Sequence, residues 1–434
     1  MNNTYSEMKD SCVEWIEKIP EHWEVERAKF HFIQSFERGN DIPELLAATQ
    51  KYGMYPQRLL EGVVQVMAGT DLQQFKTVHI NDFVISLRSF QGGFERSTFE
   101  GVCSPAYQVF HADEHYNVDW LKYFFKNEMF IDAMNALTVG IREGRNIKYD
   151  DFANSLLPIP PLSEQAAIAA YLDEKCGESD EIIAEAKASI EEYKAWKSSV
   201  IFEAVTKGLD PHAEMKDSGV EWIGKVPKDA DIVRLRKFIS KIESGVSVNA
   251  GQEPAQANEI GVLKTSSVSQ YIFIPSENKN VNKDELSRVS CPVKKNTLIV
   301  SRMNTPELVG ACGYVNANYE NLYLPDRLWQ VHFNEKCNVK FMWYYLRSNF
   351  VRNYYASLST GTSSSMQNIS QAQFSNVQVV SHPYDIQKKI SDYLDEKCAA
   401  IDGIIAEKEA LIADMEAYKK SLIFETVTGK RKVC

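Results

Sequence analysis

Two stretches of this chain carry apolar residues at alternating steps of three and four. Ile401, Ile404, Leu411, Met415, Tyr418 and Leu422 form one stripe, interrupted by Lys408; Ile182, Ala186, Tyr193, Trp196 and Val200 form the other. Such spacing puts side chains on one helical face, and matching seams in one chain predict an antiparallel helix pair. Packing of each seam into its own globular core is the alternative. The run Leu157-Pro158-Ile159-Pro160-Pro161 is incompatible with helix, so the first helix opens after it, with Ser163 as expected N-cap and Glu164 in the first turn. Asp385, preceded by Pro383, is the expected cap of the second. Glycine and lysine at Lys207-Gly208 and Gly429-Lys430 suit the C-termini. At about 1.5 Å per residue each helix would span on the order of 65 Å, with Gly177 a point of local bending in the first.

The remaining sequence alternates between short apolar runs and amphipathic segments. Phe83–Leu87, Thr297–Ser301, Tyr107–Phe110 and Leu328–Phe333 predict strands; Trp120–Phe125 and Phe341–Leu346 predict helices. The strands and helices recur at corresponding places, which defines an α/β chain of two similar globular domains separated by two long antiparallel, coiled-coil-like helices with internal pseudo-two-fold symmetry.

The duplication is also literal. Tyr171-Leu172-Asp173-Glu174-Lys175-Cys176 returns 222 positions later as Tyr393-Leu394-Asp395-Glu396-Lys397-Cys398, and Ile201-Phe202-Glu203 returns as Ile423-Phe424-Glu425. Met8-Lys9-Asp10-Ser11 and Val13-Glu14-Trp15-Ile16 return 207 positions later, from Met215 and Val220. The boundaries that follow are a first domain at 1–161, a helix at 162–208, a second domain at 209–383, a helix at 384–429 and a basic tail at 430–434. A duplicated chain suits a partner that is itself nearly two-fold symmetric.

Composition changes this picture only through the location of charge. Of the net −11, −5 falls on residues 163–207 and −4 on 385–428, so the helices are acidic and the domains nearly neutral. Local basic faces are thereby permitted. No apolar run reaches the roughly 20 residues of a membrane span and no signal pattern opens the chain. The eight cysteines contain no C-x-x-C pair, which reads as reduced thiols in a cytoplasmic protein.

Catalytic constellations are sparse. Pro160-Pro161 lacks the Asn or Asp that amino-methyltransferases place before a Pro-Pro pair, and Thr428-Gly429-Lys430 lacks the upstream glycine of a phosphate loop. His111, Glu114 and His115 have helical ligand spacing but follow a predicted strand, so a solvated turn is the favoured reading over a metal site. Two loops that precede the long helices look like recognition surfaces. One offers Arg142, Arg145 and Lys148; the other offers Thr362, Ser363, Ser364, Gln367 and Asn368. Arginine suits guanine edges and phosphates, and the polar set suits phosphates and adenine. Arg88, Arg302 and Arg327, near strand ends, are weaker candidates, each with a structural ion pair as the favoured role.

Together, the two Met-Lys-Asp-Ser/Val-Glu-Trp-Ile starts, Pro160-Pro161-Leu162-Ser163-Glu164-Gln165, the paired Tyr-Leu-Asp-Glu-Lys-Cys motifs and the endings at Ser198–Thr206 and Ser421–Thr428 give a resemblance over nearly the whole chain. It resembles the specificity subunit of a type I DNA restriction–modification system. The resemblance implies a non-catalytic subunit whose two target-recognition domains each read half of a split double-stranded DNA sequence. The helices would set the unread spacer and dock two modification (methyltransferase) subunits, which bind S-adenosylmethionine and methylate adenine at N6. A restriction subunit using ATP and Mg can join them. No cofactor is expected in this chain itself. A self-sufficient DNA methyltransferase and a structural two-fold adaptor are the alternatives. The sequence departs from the family pattern at Ser381-His382-Pro383-Tyr384, which predicts a less rigid entry to the second helix.

Overall fold

In a computed structural model, the described residues are 4–39, 44–61, 72–137, 147–363 and 366–433. They form two compact units, residues 1–187 with 409–434 and residues 188–408. Each unit therefore contains one globular domain, part of the first long helix (Leu162–Lys207) and part of the second (Tyr384–Val427). The first helix runs unbroken through Gly177.

The two units are built alike. The first opens with a hairpin, Met8–Asp10 against Lys18–Pro20, and the second with Met215–Asp217 against Lys225–Pro227. Next, Glu24–Arg27 pairs with Leu156–Ile159, and Asp231–Arg234 pairs with Gln378–Ser381. These pairings bring each domain's start to the strand that leads into a long helix. A four-stranded antiparallel sheet follows: Phe32–Ser35, Gln108–Ala112, Phe83–Ile85 and Glu95–Arg96 in the first unit. Its equivalent is Ile239–Ser244, Leu328–Phe333, Thr297–Ser301 and Cys312–Val315. One edge-to-face aromatic cluster, including Phe83, Phe94, Phe110, Phe125 and Phe152, fills the first main core. Smaller second cores lie around Met54 and Val84 in one unit and around Val268 and Ile299 in the other.

The repeated motifs are the attachment of helix to domain. Ile168, Leu172 and Cys176 are buried in the first main core; Ile390, Leu394 and Cys398, their equivalents, are buried in the second. Between them on the helix, the Asp173 carboxylate accepts from Lys122 Nζ at 2.6 Å and Tyr123 Oη at 2.5 Å. Asp395 accepts in the same way from Lys340 and from Tyr344 Oη at 2.8 Å. Burial raises the Asp173 carboxyl, but the Lys122 and Tyr123 bonds outweigh it and hold the group below its ordinary range. One turn earlier, the fully buried Gln165 donates to the carbonyls of Pro160 and His115, both at 2.8 Å, and accepts from the Asn117 N–H at 2.7 Å. Gln387 repeats all three bonds, to His382 and Lys336 and from Asn338. The second entry thus keeps the glutamine clamp despite its missing Pro-Pro.

The helix starts also differ in detail from expectation. Helix begins at Leu162 and Tyr384, which puts Ser163 and Asp385 inside the first turn rather than at the cap. Pro161 and Pro383 occupy the boundary, and their carbonyls accept from the Gln165 and Gln387 N–H groups at 3.0 Å. Proline has no N–H to leave unpaired there and its φ is preset. Glu164 ties the first entry to the N-terminal hairpin region, accepting from Trp23 Nε1 at 2.9 Å, His22 Nε2 at 2.5 Å and Tyr5 Oη at 2.8 Å.

Within each unit the two long helices run antiparallel. Leu422 and Val427 share the first core with Leu172 and Cys176, and Asp180 pairs with Lys419. Ile201, Ala204 and Val205 share the second with Leu394 and Cys398, and Lys197 pairs with Asp402 at 2.6 Å. The two ion pairs are the same pair at the 222-residue offset, with the helices exchanged. Of the expected seam residues, Ala186 and Leu422 are buried, and Tyr193, Val200, Ile404 and Met415 are half-buried. Ile182, Trp196, Leu411 and Tyr418 are not in the seam: they are 40–51% exposed. On the first helix Ile183, Ile190 and Ile201 are buried beside Ala186, and on the second Ile401, also in the expected stripe, is buried with Leu422. Gaps in the stripe are filled by half-buried Lys197, Lys408 and Lys419, whose stems line the seam while their ammonium groups reach Asp402, the Tyr193 ring and Asp180. Lysine at seam positions hides the stripe from a count of apolar residues.

The C-terminal residues close onto the start of the chain. Lys430 Nζ donates to the carbonyls of Ile16 at 2.6 Å and Lys18 at 2.9 Å, and Arg431 pairs with Glu425 at 2.8 Å. Gly429, at φ +71°, lies so close to Pro20 that a Cβ would fall 2.3 Å from its Cδ.

Gln165→Ala and Gln387→Ala each strand a buried N–H and two carbonyls, and should each cost roughly 2–4 kcal/mol in denaturant unfolding. A loss below ~0.5 kcal/mol for both would show that the glutamines are not what anchors the helices. The Glu164 carboxyl is raised by burial, but the Trp23, His22 and Tyr5 bonds outweigh that and hold it below its ordinary range. Its contribution is present above the unfolded carboxyl's pKa and lost as pH falls through the depressed one. Glu164→Gln should therefore lower the unfolding temperature at neutral pH, with the gap from wild type closing in acid; a gap constant with pH would contradict this.

Candidate nucleic-acid interface

Strand ends place the recognition candidates. In the second unit, Arg302 follows the central Thr297–Ser301 strand. A small sheet continues from it, Met303–Asn304 against Met366–Asn368, with Thr360–Ser363 on the far side. Asn368 stands opposite Met303 and Gln367 opposite Asn304. The Arg302 carbonyl accepts from the Ile369 N–H at 3.1 Å, and its own N–H donates to the Arg327 carbonyl at 3.1 Å. Of the sequence candidates, then, the fold brings Arg302, Arg327, Gln367 and Asn368 together. Thr362 and Ser363 belong to the Thr360–Ser363 strand. Ser364, Arg142 and Arg145 lie outside the described residues.

Two polar atoms at this place are buried and have no hydrogen-bond partner among the described residues: Arg302 Nε and Asn368 Oδ1. Each leaves a desolvation cost of about 1–3 kcal/mol uncompensated in the free chain. A ligand that supplied an acceptor to one and a donor to the other would recover it.

A cleft of about 610 Å³ adjoins Arg327, lined among others by Ser247, Asn249, Lys264, Ser266 and Lys279. Lys264 is loosely paired with Glu277 at 3.8 Å, and Asp326 is occupied by Ser247 Oγ at 2.6 Å. Lys279 and Arg327 have no ionic side-chain partner among the described residues. Their charge is therefore available to an incoming anion. The sequence reading missed Lys264, Lys279 and the Ser/Asn rim. The available signal was a polar stretch in the second copy, Asn278-Lys279-Asn280 at its centre, with no match in the first.

In the first unit Arg88 takes the place of Arg302, after the Phe83–Ile85 strand, and is exposed; its N–H donates to Ser86 Oγ at 3.2 Å. Lys148 is exposed between buried Ile147 and Tyr149. That segment is fixed by Gln108, which donates to the Ile147 carbonyl at 3.2 Å and accepts from the Tyr149 N–H at 2.7 Å. His111 near the strand end and Glu114 and His115 on the turn after it are exposed, as the sequence favoured, and do not group together. His115 instead meets Asp113 at 3.1 Å, because the turn after the strand points it toward the Asp113 carboxylate, while His111 and Glu114 face solvent.

These surfaces present hydrogen-bond donors and positive charge rather than a reacting group. Burial pushes the Cys103 and Cys312 thiols up to about 12, and no positive shift in reactivity accompanies it. Gly93 and Gly310, both at positive φ, serve close packing: a Cβ would strike the Phe125 carbonyl or the Tyr355 ring. No helix among the described residues is long and apolar enough to cross a membrane.

Comparison with known proteins places this geometry. Residues 227–412 match the family model of the type I restriction modification DNA specificity domain. Over 426 residues the chain is 24% identical to the type I restriction enzyme MjaVIII specificity subunit of Methanocaldococcus jannaschii, covering 96% of this chain and 94% of that protein. It is 22% identical over 347 residues to the EcoKI specificity subunit of Escherichia coli K12, covering 76% and 68%. Among solved structures, a chain from a study of complex assembly and conformational transition in the type I R-M system superposes with a TM-score of 0.68 at 14% identity, covering 94% and 98%. The HsdS subunit of Thermoanaerobacter tengcongensis superposes with 0.52 at 15% identity, covering 95% and 98%. The family model over residues 227–412, the two relatives and the fold agree in one likeness, to the specificity subunits of type I restriction–modification systems.

Proposed function

We propose that each recognition domain reads one half of a bipartite double-stranded DNA target and that the long helices set the unread gap. The observation that carries this reading is a shared frame with unlike surfaces. The glutamine and aspartate attachments are the same in both units, whereas Arg302, Arg327 and the Lys279 cleft have no matching set among the described residues of the first. Arg302 and Asn368 are the proposed base readers of the second half-site, and Lys264, Lys279 and Arg327 the phosphate contacts. Arg88 and Lys148 are the corresponding proposals for the first.

The chemistry belongs, in this reading, to partners: two modification subunits that use S-adenosylmethionine to methylate adenine, and a restriction subunit that uses ATP and Mg. The exposure of Ile182, Trp196, Leu411 and Tyr418 on otherwise acidic helices supports docking there, since isolated apolar side chains of that size gain from being covered.

Single-molecule sequencing of DNA methylated by the assembled complex tests the assignment. Arg302→Ala or Asn368→Ala should relax one or two positions of a single half-site by roughly 10–100-fold, about 1–3 kcal/mol per base contact, and leave the other half intact. Equal loss at both halves would contradict separate readers. Inserting two helical turns at matched positions of both long helices should lengthen the gap and preserve both half-sites; an unchanged gap would refute the spacer role. Trp196→Asp should weaken assembly with modification subunits at least tenfold while leaving the unfolding temperature of the isolated chain within about 2 °C, and undiminished assembly would remove that face from the interface.

A further inference from the structure

The first unit contains a cluster of titratable groups that the recognition reading does not use. His31 is buried at the start of the sheet, and both of its ring nitrogens face carboxylates: Nδ1 lies 2.9 Å from Asp113 Oδ2 and Nε2 lies 2.9 Å from Glu26 Oε2. His115, on the exposed turn beyond the strand, brings its own Nδ1 to within 3.1 Å of the same Asp113 oxygen. The two imidazole rings are 4.8 Å apart. One donor atom from each of His31, Asp113 and His115 lies within 4.8 Å of the others.

The duplication supplies an internal control. Asp113 N–H donates to the His31 carbonyl at 2.8 Å, and Asn334 N–H donates to the Phe238 carbonyl at 2.9 Å. Gln165 holds the His115 carbonyl as Gln387 holds that of Lys336. Glu26 stands opposite Leu157 as Val233 stands opposite Val379. So Glu26, His31, Asp113 and His115 correspond to Val233, Phe238, Asn334 and Lys336. The backbone frame needs none of the four polar groups, since the second unit builds it without them. They are present together in one unit and replaced together in the other.

We propose that His31, Asp113 and His115 bind a divalent transition-metal ion of the zinc type. Two imidazoles and one carboxylate are a common donor set for zinc, which sits about 2.0–2.2 Å from such atoms, so the 2.9 and 3.1 Å contacts to Asp113 would open slightly and a pair as wide as 4.8 Å would draw in to reach one ion. Glu26 completes the arrangement from outside: a carboxylate on Nε2 fixes the His31 ring and leaves Nδ1 as the ligand atom. The exposed side, at His115, leaves a fourth position for water. Without the ion, a proton on His31 holds the same carboxylates; burial works against that proton, and Asp113 and Glu26 outweigh it. The ion displaces it. Its effect is local reinforcement. It ties the strand start at His31 to the turn whose carbonyl Gln165 clamps, at the foot of the first long helix.

Titration of the full-length chain with Zn²⁺ against a chromophoric chelator, and with Co²⁺ read by its visible absorption, tests this. One ion should bind per chain and raise the unfolding temperature. His31→Phe with His115→Lys, the residues of the second unit, should weaken binding at least 100-fold; Glu26→Val should weaken it about 10-fold. His115→Lys alone sits on an exposed turn and decides the matter should the double variant fold poorly. Absence of saturable binding would overturn the proposal and leave His31 a protonated bridge. Binding that survives His115→Lys undiminished would place the ion elsewhere, such as on the cysteines, and overturn it equally.

Discussion

A buried glutamine at the foot of each long helix is the constraint on which the rest of this structure depends. Gln165 and Gln387 each satisfy one backbone N–H and two carbonyls from two separate segments: the strand leaving the domain, and the turn that runs from the central strand into the cap of the next short helix. An amide is suited to this because it donates and accepts at once. A carboxylate could not serve both carbonyls, and an apolar residue would leave all three groups buried and unpaired, at about 1–3 kcal/mol each. Once the amide is seated, the helix register is set. Leu172 and Cys176 then fall into the core and Asp173 meets Lys122 and Tyr123, with Leu394, Cys398 and Asp395 following suit.

That dependence explains which parts of the sequence are duplicated. The Tyr-Leu-Asp-Glu-Lys-Cys motif marks contacts between a helix and its own domain, where two buried positions and one charged hydrogen-bonded position must coincide within a turn and a half. Surfaces away from that joint are under no such geometric demand. They diverge freely, as Glu26 and His31 do from Val233 and Phe238.

The same logic sets how much was legible beforehand. The Thr297–Ser301 and Leu328–Phe333 strands could be read to the residue, because both are buried on two faces and their apolar runs end where burial ends. The helix boundaries were legible to within two residues, but not the capping chemistry. Proline at the boundary and glutamine one turn in did the work expected of Ser163 and Asp385. The seam was legible only in part: Ala186, Ile401 and Leu422 are buried as expected, Ile183 is buried in place of Ile182, and Lys197, Lys408 and Lys419 occupy places where a hydropathy count expects Leu or Ile. Recognition residues were the least legible. Lys264 and Lys279 reach the cleft beside Arg327 through long-range pairing, Gly261–Leu263 with Asn278–Asn280, and nothing local in the sequence encodes it.

Seam lysines also bear on why the helices can be acidic and still pair. Ten acidic residues on each helix would repel one another across an antiparallel interface at low salt. Lys197 and Lys419, placed in the seam and answered by Asp402 and Asp180, put positive charge where the acidic surfaces approach most closely. Each such pair is partly exposed and by itself contributes little to stability, of order 0–1 kcal/mol. Its value is directional. A shifted register would set the ammonium of Lys419 beside apolar Ile183 or leave Asp180 without its cation, so charge selects the alignment that the weakly apolar seam alone would specify poorly.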